Sequence, residues 1–66
     1  MANYKQLHDY DGKVCDERTG ETVFYVSSET DGAYYVTDGG AYGRLFFGFM
    51  SLLHFMERNG LVVEWF

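Results

Sequence analysis

Cys15, His8 and His54 are the residues of this chain best suited to chemistry. A thiol beside an imidazole makes a nucleophile–base pair, in which the ring takes the thiol proton. Cys15, however, lies in Lys13-Val14-Cys15-Asp16-Glu17, a short strand-like segment. A lone cysteine in a strand is usually a small buried apolar residue. One thiol and two imidazoles also fall short of the four ligands of a structural zinc site. Asp9-Tyr10-Asp11-Gly12 sets two carboxylates before a glycine. A calcium loop needs a further ligand pair before that glycine and a glutamate at its twelfth position, and neither spacing is met. Gly39-Gly40-Ala41-Tyr42-Gly43 has the glycine density of a phosphate loop. It lacks both the dinucleotide spacing and the lysine of a P-loop. A 66-residue chain also has little room for a concave pocket of several hundred Å³. The expectation is a protein with no catalytic residues, no cofactor and no metal.

Binding chemistry is better represented. Formal net charge is −5, so direct contact with nucleic acid phosphates is not expected, because that needs clustered Lys and Arg. The charge is regional. Residues 9–38 hold eight of the ten acids against only Lys13 and Arg18, a net of −6. Residues 39–66 balance Glu57 and Glu64 with Arg44 and Arg58. In the acidic segment, Asp9, Asp11, Glu29 and Asp31 fall at turns, and Tyr25, Tyr34 and Tyr35 fall on strands. Tyrosine offers a large ring with one polar tip, which suits binding surfaces. Carboxylates steer a basic partner and raise its association rate. These seven residues form the candidate partner-binding set. An acidic sheet face also keeps an aromatic-rich protein soluble, and that ordinary role competes with binding.

The elements that position these residues are punctuated by glycine, since the chain has no proline. Thr22–Ser27 and Ala33–Thr37 are dense in β-branched and aromatic residues and read as strands. Asp31-Gly32 between them is a tight-turn signal, and Thr19-Gly20 suits a turn before the first of them. Residues 13–37 therefore read as a three-stranded meander, to which residues 3–10 could add a strand. From Tyr42 to Asn59 the pattern is helical. Leu45, Phe49, Leu52, Leu53 and Met56 share one face, Thr37 or Asp38 caps the start, and Gly60 ends the helix. Leu61–Phe66 reads as a closing strand with Trp65 or Phe66 buried, so that removing both should unfold the domain. The expected fold is one α+β domain over residues 1–66. It has a three- to four-stranded antiparallel sheet, one helix on one face, and the order ββ(β)αβ.

On that helix Phe47 and His54 would point away from the sheet, with Met50 at the edge of the same side. These three are the candidate self-association residues, and a homodimer is the commonest use of such a face. A single cysteine suits a reducing compartment. Met1-Ala2-Asn3-Tyr4-Lys5 has no secretory pattern, and the apolar stretch from Leu45 to Met56 is too short to span a membrane. A cytoplasmic protein without membrane contact is expected. In size, acidity and lack of catalytic residues the chain is similar to bacteriophage-encoded inhibitors of host defence or transcription, including anti-CRISPR proteins. That general resemblance, which rests on no shared motif, implies an inhibitor or adaptor acting in host cytoplasm. It would cover a basic, nucleic-acid-binding site on a protein partner. The alternative is a homo-oligomeric assembly protein built on the apolar side of the helix.

Overall fold

A computed structural model describes residues 10–66 of the chain. Its strands are β1 (Gly12–Asp16), β2 (Thr22–Ser28), β3 (Ala33–Thr37), β4 (Gly43–Phe47) and β5 (Leu61–Trp65), and its helix is α1 (Phe49–Arg58). They form a five-stranded sheet in the order β4-β3-β2-β1-β5. Every neighbouring pair is antiparallel. The fold is α+β, with the helix on one face of an antiparallel sheet, as expected. The sheet has one strand more than the sequence suggests.

Residues alternate between the two faces of a strand. Val14, Val26, Val36 and Phe46, one from each of four adjacent strands, point toward α1. They enclose Leu52 and Met56 of the helix, which are 0% and 2% exposed. Phe24, Tyr34, Leu53, Phe55, Leu61 and Val63 pack around this centre. Helix α1 links the two edge strands, β4 and β5, by crossing over the three strands between them. One buried helical stripe thus serves the whole sheet.

The main correction concerns residues 42–48. The helical pattern predicted from Tyr42 starts only at Phe49, and Gly43–Phe47 is a strand paired with β3 from Thr37↔Gly43 to Ala33↔Phe47. Leu45 and Phe49 are spaced as helix neighbours, but Gly48 separates them with φ 101° and ψ 147°. Only glycine occupies that region without strain. The Gly48 N–H also donates to the Gly32 carbonyl at 3.1 Å, which ties the junction to the β2–β3 turn. Gly48→Ala is therefore expected to cost about 1–3 kcal/mol. Urea unfolding should show this as a lower midpoint at unchanged slope.

Asp38 does not cap the helix. Its Oδ1 accepts the N–H groups of Gly40 at 2.8 Å and Tyr42 at 3.3 Å, shaping the β3–β4 turn. The closing strand is present, but its last aromatics are not buried. Trp65 is 45% and Phe66 64% exposed. β5 is an edge strand, and burial on its helix-facing side fades from Leu61 toward Trp65, whose ring lies 6.2 Å from Tyr34. Removal of Trp65 and Phe66 is no longer expected to unfold the domain. The strand suggested at residues 3–10 lies, but for Tyr10, outside the described residues.

Candidate acidic binding site

Antiparallel pairing sets which acids meet. Gly12 faces Val26 and Ser28 faces Tyr34, so the start of β1 and the β2–β3 turn share one end of the sheet. Asp11, which precedes β1, meets Glu29 and Asp31 of the β2–β3 connection there, and all three are exposed. Two of the carboxylates are held by hydrogen bonds. The Asp11 carboxylate accepts the Ser28 N–H at 2.6 Å. Glu29 accepts the hydroxyl of Ser27 at 2.7 Å, and Ser27 is itself 1% exposed. Asp31 adopts a left-handed φ of 63° inside the 3-10 turn Thr30–Gly32. Asp and Asn tolerate that conformation better than most residues. Asp9 lies outside the described residues.

The tyrosines divide between the two faces. Tyr25 and Tyr35 lie on the face away from α1. Tyr25 stacks on Tyr10, with ring centroids 5.2 Å apart and planes 23° apart. Tyr10 is buried and supports the Tyr25 ring, a role that no local sequence signal marks. Tyr34 points to the helix side and meets Phe49 edge-on at 5.8 Å. It therefore belongs to the packing around the core, not to the acidic surface. On the outer face Tyr35 opposes Leu45, and Ala33 opposes Phe47. Together with Glu29, Thr30 and Asp31 these residues line a shallow groove of about 450 Å³. One wall is acidic and the other apolar. The helical spacing places Leu45 and Phe47 on a helix, whereas their strand position in β4 brings them into this groove.

The self-association trio is also divided. Phe47 is on β4, facing away from the helix layer, and is 77% exposed. Met50 and His54 lie one turn apart on α1, and both are exposed. His54 lines a second depression of about 370 Å³ with Arg44 and Arg58. The Arg44 guanidinium lies 4.7 Å from the Phe46 ring centre and 5.6 Å from that of Phe55. The trio therefore does not make one apolar face. Cys15 is buried on the sheet face opposite the helix that carries His54, which separates that nucleophile–base pair. Its Sγ lies 3.9 Å from the Thr22 hydroxyl. His8 lies outside the described residues.

The other acids lie elsewhere. Asp16 closes the β1–β2 turn by accepting the N–H groups of Arg18 at 2.8 Å and Thr19 at 3.2 Å. These bonds, first from Arg18 and then from Thr19, hold its carboxyl below the ordinary value of 3.8. A depressed folded-state pKa gives stability that is present above the unfolded value and lost as pH falls through the folded one. Asp16→Asn should therefore melt lower than wild type at neutral pH. The gap should close in acid below the ordinary carboxylate range. Thermal melts of both proteins across that range check the sign.

Among the described residues no helix is long and apolar enough to cross a membrane. No family model, curated protein or solved structure matches this chain.

Proposed function

We propose that this chain is an inhibitor or adaptor that binds a protein partner through the end of the sheet bearing Asp11, Glu29 and Asp31. The convergence of these three exposed carboxylates, two of them held by hydrogen bonds, beside an apolar groove carries the reading. Fixed charges steer a basic partner into register. The groove wall of Tyr35, Leu45 and Phe47 offers the aromatic and aliphatic surface that anchors such contacts. Tyr25 extends the surface over the same face of the sheet. The chemistry suits a partner surface rich in Arg and Lys, of the kind that holds nucleic acid backbone. By covering such a surface the chain would exclude the nucleic acid. That is the mode of a phage-type inhibitor of host defence, including the anti-CRISPR kind, and it requires neither catalysis nor a cofactor.

The test is affinity capture from bacterial lysate, followed by competition with nucleic acid. The expected result is a nucleic-acid-binding partner that is retained at low salt and released by added DNA or RNA. Retention of partners that neither salt nor nucleic acid displaces would count against an acidic surface competing for a basic site.

A further inference from the structure

The outer edge of β4 presents a second feature, carried by its backbone, although Leu45 and Phe47 also line the groove beside the acidic end. Antiparallel ladders alternate between residues bonded to the neighbouring strand and residues whose N–H and C=O point away from it. The bond from Gly48 N–H to Gly32 O sets the phase for β3 and β4. Phe46 and Arg44 are then bonded to β3, opposite Tyr34 and Val36. Gly43, Leu45 and Phe47 direct their backbone groups outward, where no strand follows among the described residues. The side chains of Leu45 and Phe47 are 43% and 77% exposed. An unpaired row of this kind is a template for another strand, and natural edges usually blunt it with charge, bulges or proline. β4 has no acid and no proline, and its one charge, Arg44, is stacked on Phe46 and Phe55. The other edge, β5, carries Glu64 paired with Lys13 at 3.4 Å.

We propose that β4 pairs with β4 of a second copy in antiparallel register about a two-fold axis at Leu45. That register is self-complementary. Leu45 meets its own equivalent, and Gly43 meets Phe47 in both directions. Such a seam forms about six backbone hydrogen bonds. It also sets the most exposed aromatic of β4 over the residue that has no side chain. The Tyr35 ring already leans over Gly43, where any Cβ would collide with it. Phe47 of the second copy would therefore land against that ring. The strand is the least acidic part of an acidic molecule, so two copies approach here at least electrostatic cost. The two acidic ends then lie at opposite ends of the seam.

Sedimentation of the full chain at rising concentration tests the seam, with circular dichroism confirming the fold of each variant. Wild type should sediment as a dimer. Phe47→Lys should lose the dimer and keep the fold. Leu45→Pro should also lose it, because it removes an N–H that points outward and leaves the β3 ladder intact. Met50→Lys, on the helix surface, should leave the dimer unchanged. A wild-type monomer at high micromolar concentration would overturn the proposal and leave the edge open to a foreign strand. So would a dimer that survives Phe47→Lys but is broken by Met50→Lys, which would place the seam on the helix.

Discussion

Replacing Leu52 with alanine is expected to leave much of the chain unfolded at room temperature. Leu52 is fully buried at the centre of the single helix–sheet contact, among Val14, Val26, Val36 and Phe46. Truncating such a leucine costs about 2–5 kcal/mol. A domain this small holds roughly 3–5 kcal/mol in all, and the one cysteine can form no disulfide within the chain to add to it. The cost and the reserve are therefore of the same size. Met50→Ala on the same helix is the matched control. Met50 is 60% exposed, so its loss should stay within about 0.5 kcal/mol. Circular dichroism melts of the two variants compare them directly. Equal melting would mean that α1 is not seated on the sheet through Leu52.

The second large effect is on binding. Asp11→Asn, Glu29→Gln and Asp31→Asn together remove three charges while keeping the shape of each side chain. An amide oxygen can still accept from Ser28 N–H and from the Ser27 hydroxyl. Asn also tolerates the left-handed backbone at position 31. The fold should therefore survive, which lysine at position 31 would not guarantee. Exposed ion pairs are worth about 0.2–1 kcal/mol each. Losing three should weaken a basic partner by roughly threefold to 150-fold. Titration of the captured partner with each protein measures the change. Because these carboxylates are exposed, much of the loss should fall on the association rate.

Much of this fold is legible in the residues. The β-branched and aromatic runs around Asp31-Gly32 mark β2 and β3, and the backbone there has φ of 63° and 77° at those two residues. Gly60, at φ 65°, follows the helix as its C-terminal signal requires. The β4 segment was misread because the helical period runs through it. Leu45, Phe49, Leu52 and Met56 satisfy the helical spacing, and Arg44-Leu45-Phe46-Phe47 shows no polar–apolar alternation to compete with it. The usable signal was Gly43 and Gly48, which bracket four residues as glycines bracket a short strand. That misreading also displaced Phe47 and hid the groove it lines. The acidic site was only half legible. Composition located the charge, but nothing local in the sequence shows that Asp11 lies beside Ser28. That neighbourhood comes from strand pairing, as does the separation of Tyr34 from Tyr35 onto opposite faces. Trp65 and Phe66 look like core residues because they are large and apolar. An edge strand leaves such residues half exposed, and edge position depends on topology.

The central claim is that the Asp11–Glu29–Asp31 end steers a basic partner. Its most direct test is the association rate with the captured partner across ionic strength, for wild type and for the triple amide variant. Wild type should associate fast at low salt and slow steeply as salt rises, since screening removes long-range attraction. The variant should be slower at low salt and nearly insensitive to it. Equal rates and equal salt slopes for the two proteins would contradict the claim and leave these carboxylates as a solubilising surface.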